Sequence, residues 1–237
     1  MIRVLIGIQC RMNSERLPGK ALLQVGGKTV IEHVINACKR SASFINRTER
    51  YNAHCECRIL VPKDDDELIE HVSKKIDVIT GPENDVITRY VKAANSFEKP
   101  ADYIVRITGD CLFIPSHNIS RHIKQALKSK GDYVNNILER VHPEGWDTEV
   151  LSKRLLDYLD NNASRGHDRE HVTTLIKDEL QHQLFPKHFQ IHNCKDQIDM
   201  SHVKTSIDTL EDYNRALADF KKREMQRERT ERYGKVF

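Results

Sequence analysis

The chain has 237 residues, 38% of them hydrophobic and 31% charged, with a formal net charge of +3. That is enough apolar material for one large domain, and too little positive charge to argue for nucleic acid by itself. No stretch approaches the roughly 18 consecutive apolar residues of a membrane-spanning helix, and the N-terminal MIRVLIGIQCRM lacks the cleavage site of a signal peptide.

The first apolar run reads as a buried strand over 3–8, followed by the polar, basic stretch QCRMNSERLPGK at 9–20. Thr29 and Glu32 stand in capping-box spacing at the start of a helix over 29–40, where Val30, Ile31, Val34, Ile35 and Cys38 recur at helical period. Residues 41–56 are polar and aperiodic and read as a surface excursion. Strands are expected at 57–62 and 77–80, with Asp64-Asp65-Asp66 between them opening an acidic helical stretch. Helix 84–97 aligns Val86, Ile87, Tyr90, Val91, Ala94 and Phe97 on one face. Strand 103–108, helix 116–129 and strand 132–136 continue the alternation. Residues 137–168, punctuated by HPEGW and SRGH, interrupt it and read as an inserted lid or subdomain. A helix over 169–180, strands at 189–193 and 204–207, and a helix over 209–231 complete the chain. The last of these starts with Thr209 and Asp212 in capping spacing. From Lys221 to Arg232 acids interrupt every basic run, which fits a solvated helix better than a nucleic-acid tail.

Strand–helix alternation of this kind predicts an α/β fold: a mainly parallel sheet flanked by helices, in a single domain over 1–237. Ligands of such sheets bind at the carboxyl ends of the strands, which is where 9–20 falls. The six cysteines show no disulfide framework, so free thiols in a reducing cytoplasm are expected. His54, Cys55 and Cys57 lack the spacing and the fourth ligand of a zinc site.

Neither a G-x-x-x-x-G-K-[ST] loop nor a G-x-G-x-x-G after the first strand is present, which disfavours a P-loop NTPase and a dinucleotide-binding domain. What remains is R-x-x-x-x-R-L-P-G-K, in which Pro18-Gly19 bends the chain so that Arg11, Arg16 and Lys20 can converge. Three cations suit a triphosphate; a solvated surface loop is the alternative. Asp110 and Asp208 both follow predicted strands, where a carboxylate pair beside a polyphosphate would hold Mg²⁺. Each also has a plainer role open to it, Asp110 in a turn and Asp208 as a helix N-cap.

The stretch QCRMNSERLPGK resembles the N-terminal signature of the cytidylyltransferases that activate sugar acids. These are the CMP-KDO and CMP-sialate synthetases, and above all their spore-coat polysaccharide (SpsF-like) branch. The similarity continues through TGPENDVITRY, VRITGDCLFIP, GWDTEVLS, HDREHVTTLI and SIDTLEDY, nearly the whole chain. It implies a GT-A-like nucleotide-diphospho-sugar transferase fold and transfer of CMP from CTP to a sugar acid or phosphorylated acceptor, releasing pyrophosphate for surface polysaccharide or glycan synthesis. By position, Arg11 and Lys20 would hold the triphosphate with Arg16 nearby, and Asp110 and Asp208 the catalytic Mg²⁺. Gly81, Asp85 and Arg89 would line the nucleotide pocket. Trp146, Asp147, Glu149, Arg169, Glu170 and His171 would face a small anionic acceptor. The resemblance also implies a cytoplasmic homodimer formed through the inserted segment. Departures from the family pattern are Cys10 for Ala, Asn13 for Gly and Leu112-Phe113 for Pro-Leu, with 41–56 longer than usual. His171 is a candidate base or a structural hydrogen-bonder, and Trp146 a stacking platform or a core anchor. Two rivals stay open: a GT-A glycosyltransferase, for which Asp64-Asp65-Asp66 fits a D-x-D metal motif by letter, and a non-catalytic nucleotide-binding subunit.

Overall fold

The computed structural model describes residues 1–233, with side-chain environments to residue 226. Its centre is a seven-stranded sheet of β1 (Ile2–Gln9), β4 (Ala53–Pro62), β5 (Asp77–Gly81), β6 (Tyr103–Thr108), β7 (Tyr133–Asn135), β8 (Glu149–Ser152) and β9 (Ile191–Asn193). The spatial order is β5-β4-β1-β6-β8-β7-β9. Only β8 runs against the rest, pairing antiparallel with both β6 and β7. A mainly parallel sheet was expected, and that is the architecture found.

Alternation along β1 divides the interior. Val4, Ile6 and Ile8 pack with α1 (Val30–Asn46), α2 (Asp66–Ser73) and α4 (Ser116–Ser129) on one face. Leu5 points to the other face, against α3 (Val86–Asn95), α5 (Lys153–Asn162) and the pair α6 (Gly166–His171) and α7 (Thr174–Gln181). Each such side chain taken out of water contributes roughly 1.5–3 kcal/mol, so the double-sided cover is what makes the parallel strands stable. A third, smaller apolar cluster joins Val25, Val30, Leu112, Ile207 and Ala216. It seats the hairpin of β2 (Gln24–Val25) and β3 (Lys28–Thr29) against the start of α8 (Leu210–Tyr233).

Both anticipated capping boxes form. Thr29 Oγ1 accepts from Glu32 N at 3.3 Å while Glu32 returns to Thr29 N at 2.7 Å. Thr209 Oγ1 accepts from Asp212 N at 3.2 Å, and Asp212 takes the Thr209 N–H at 3.1 Å. The part of the Lys221–Arg232 stretch after residue 226 lies outside the described side chains.

Four expectations are corrected. Residues 41–56 are no excursion: α1 runs on to Asn46 because Ser41, Ala42 and Ile45 continue its buried stripe, and β4 begins at Ala53. The range 137–168, expected as an insertion, supplies β8 to the middle of the sheet and α5 to its cover. The helix over 169–180 is two helices, broken at Val172, where φ is 59° and ψ −57°. Residues 204–207 form no strand, because β6 already has β1 and β8 on its two sides. That segment is tied down instead by one bridge, Glu144 to Lys204, and by Ile207 N donating to Asp110 O at 3.1 Å.

Candidate active site

The carboxyl ends of β1 and β6, the loop after β1 and the end of α6 enclose a cavity of about 460 Å³. Its lining includes Arg11, Arg16, Lys20, Arg89, Arg106, Asp110, Glu170, His171 and Asp208.

The basic loop owes its shape to backbone bonds. Met12 O accepts from Ser14 N at 2.8 Å and from Gly19 N at 2.9 Å, which closes the turn. Gly19 sits at φ 73°, a left-handed conformation that a residue without Cβ adopts at no steric cost. Asp65 accepts the Met12 N–H at 2.9 Å. Asp65 therefore ties down the loop, and with Asp66 the cluster opens α2, a plainer role than the D-x-D reading.

Every cation of this loop already has a carboxylate. Arg11 Nη2 bonds Glu170 Oε1 at 2.7 Å, and Arg16 Nη2 lies 3.0 Å from Asp208 Oδ1. Lys20 Nζ bonds Asp110 Oδ2 at 2.7 Å, Ile207 O at 2.8 Å and Asp208 Oδ1 at 3.1 Å. Burial works against the Lys20 charge, and the two carboxylates more than offset it, so its pKa rises. Partial burial likewise opposes the Asp208 carboxylate, but Lys204 at 3.0 Å and Lys20 hold its pKa below the usual range. Asp208 does not cap α8; its own N–H goes to Asp212.

Among the described residues no group of three histidine, cysteine or carboxylate side chains converges as a metal site. Asp110 and Asp208 do converge on one point, which the Lys20 ammonium occupies. Two carboxylates fit Mg²⁺, which takes the rest of its oxygens from phosphates and water.

The other proposed site residues divide. Arg89 lies at the cavity but only 2% exposed, its Nη1 on Leu60 O at 3.0 Å and its Nη2 on Glu83 O at 3.2 Å. Burial lowers its pKa, and among the described residues no carboxylate bonds it. Gly81 lies under the Arg89 stem, where a Cβ would meet Cγ at 2.7 Å. Asp85 caps α3 through Thr88 N at 2.9 Å and pairs with Arg169 at 2.7 Å. Arg169 also reaches Asp160 at 2.7 Å, so these two latch α6 to α3 and α5 outside the cavity lining. Trp146 O accepts from Asn118 and Asn136, and Asp147 is gripped by Arg140 at 2.6 and 3.0 Å. Neither lines the cavity, and neither does Glu149, which is 1% exposed. His171 ends α6 at the cavity wall, its pKa lowered by burial and by His167, Arg106 and Arg11. Glu170 opposes that shift without overcoming it.

Sequence reasoning missed Arg106 and Lys204, and read Asp212 only as a capping residue. Arg106 sits inside an apolar strand, and its carboxylate partner is 43 residues away. Lys204 and Asp212, 2.8 Å apart, had a visible signal in their four-residue spacings from Asp208.

A family model for cytidylyltransferases matches residues 5–229. The Bacillus subtilis spore coat polysaccharide biosynthesis protein SpsF is 29% identical over 222 residues, which cover 92% of this chain and 87% of that protein. A cytidylyltransferase structure from Leptospira borgpetersenii superposes with a TM-score of 0.78 at 25% identity, covering 100% of both chains. The structure of a CMP:2-keto-3-deoxy-manno-octonic acid synthetase complexed with CTP shares the fold, with a TM-score of 0.66 at 14% identity over 93% of this chain and 99% of that one.

Proposed function

The chain belongs to the cytidylyltransferase family, and from that premise we propose that it transfers CMP from CTP to a sugar acid or phosphorylated sugar, releasing pyrophosphate for glycan synthesis. One observation carries this reading: the three cations of the 11–20 loop are each neutralised by a carboxylate that a metal or a phosphate can replace. Asp110 and Asp208 would hold Mg²⁺, which when bound supplies charge neutralisation at the α-phosphate. Lys20 and Arg16, freed from those carboxylates, turn to the triphosphate and balance charge on the departing pyrophosphate. Arg11 exchanges Glu170 for a phosphate oxygen. Buried Arg89 adds fixed positive charge at the cavity. Attack on the α-phosphorus then needs orientation more than covalent help.

The test is thermal stabilisation by CTP, UTP, ATP and GTP, each with and without Mg²⁺. The expected result is a shift for CTP that largely vanishes without Mg²⁺, because Lys20 and Arg16 would then stay on the two carboxylates instead of turning to the phosphates. Asp110→Asn should lose the Mg²⁺ dependence and nearly all pyrophosphate release. Absence of any triphosphate shift, together with stabilisation by UDP-sugars, would replace this reading with a glycosyltransferase.

A further inference from the structure

Arg106 lies on β6 two residues before Thr108, and both side chains line the cavity. Its guanidinium is held on two sides: Nε donates to Gln9 Oε1 at 3.0 Å, and Nη1 bonds Glu149 Oε2. The other Glu149 oxygen accepts from Tyr133 Oη. Glu149 is thus engaged beneath the cavity wall and does not itself line the cavity. Arg106 Nη2, by contrast, bonds none of the described residues, and it is not sealed away as Arg89 Nε is. A planar guanidinium fixed at Nε and Nη1 presents its remaining N–H groups in one direction, a geometry that matches a carboxylate or phosphate.

A purely structural ion pair would have no need of that free donor. Nor does the triphosphate need it, since Arg11, Arg16 and Lys20 already supply three positive charges.

We propose that Arg106 determines acceptor specificity: its Nη2 edge receives the carboxylate or phosphate of the second substrate, with Glu149 and Gln9 as positioning residues that hold the guanidinium rigid. This rests on the nucleotidyl-transfer reading above. Glu149 acts on the acceptor only through Arg106, which explains how a residue of the acceptor motif can lie buried.

The experiment starts from protein saturated with CTP and Mg²⁺. Further thermal stabilisation is measured with a panel of sugar acids, sugar phosphates and matched neutral sugars, and pyrophosphate release with every member that shifts. Removing Arg106 alone would strand a buried carboxylate, so the variants are Arg106→Lys and the double replacement Arg106→Gln with Glu149→Gln. Stabilisation and turnover should be confined to anionic compounds. Both variants should raise the acceptor KM by at least about tenfold and leave the CTP shift within about twofold of wild type. Equal use of neutral sugars, no response to any anionic member, or a rise in the CTP KM with an unchanged acceptor KM would each overturn the inference. A wild-type protein that CTP fails to stabilise would instead overturn the reading of function beneath it.

Discussion

The Lys20 ammonium bridges Asp110 and Asp208, the position a divalent ion would take between them. Two carboxylates converging on one point repel each other unless a cation sits there. Replacing Lys20 by Met should therefore have two opposite effects. Pyrophosphate release should fall roughly a hundredfold or more, the scale for losing a charged group that stabilises a transition state. Mg²⁺ alone, without CTP, should now stabilise the variant more than it does wild type. A Mg²⁺ titration of both melting temperatures checks this, and equal responses would sever Lys20 from the metal position. The loop residues Arg11, Arg16 and Lys20 were legible in the sequence because they are contiguous and follow a strand. Arg106 was not, since a charged residue inside an apolar run announces neither its partner nor its free edge. Asp85 and Arg169 also escaped the letters: their mutual pairing at 2.7 Å, a contact across 84 positions, makes them a brace between helices.

Among the elements, the segment that delivers Asp208 depends on Gly145. Its φ is 98°, and a Cβ there would lie 2.5 Å from Ser206 N and 2.9 Å from Thr205 C. Those are main-chain atoms with no rotamer to yield. Gly145→Ala should cost about 2 kcal/mol or more from the left-handed conformation and the collision together. It should also reduce turnover by displacing 204–208, so the losses in melting temperature and in kcat should appear together. Unchanged kinetics in a destabilised variant would show that Asp208 keeps its place without this contact. A comparable constraint sits at Val172, where Thr173 N donates to His171 O at 2.6 Å in a tight turn of a β-branched residue. No sequence signal marked that turn. Strand β8 was missed for a related reason: four residues beginning with a glutamate give too short an alternation to register. The helices were legible wherever their apolar stripe was long, as at 116–129, which the structure reproduces to the residue.

At the scale of the whole molecule, acid sensitivity falls in two pH windows. His122 of α4 is fully buried beside His142, Arg121 and Asp196, and burial lowers its pKa from 6.5 to about 4. Between those values the unfolded chain binds a proton that the folded chain refuses. The His122 contribution to stability is therefore fully present above about pH 6.5 and is lost as pH falls toward 4, by up to about 1.4 kcal/mol per pH unit. The carboxylates of Asp208 and Glu149 are held below their ordinary range, and their contribution is lost only in more acid solution, as pH falls below about 4. Melting temperatures measured from pH 7 to 4 should decline, and His122→Gln should flatten that decline. Parallel curves would assign it to other groups.

The hydrogen bond from Ile207 N to Asp110 O joins the two carboxylate-bearing segments through main chain alone. A peptide N–H and a peptide C=O carry this link whatever side chains flank them. The separation of the two aspartates is then inherited with the backbone, and mutation can rewrite the neighbouring letters without moving them. Cavity-lining side chains such as Arg106 and His171 can then change while the spacing of the two carboxylates is passed on unaltered.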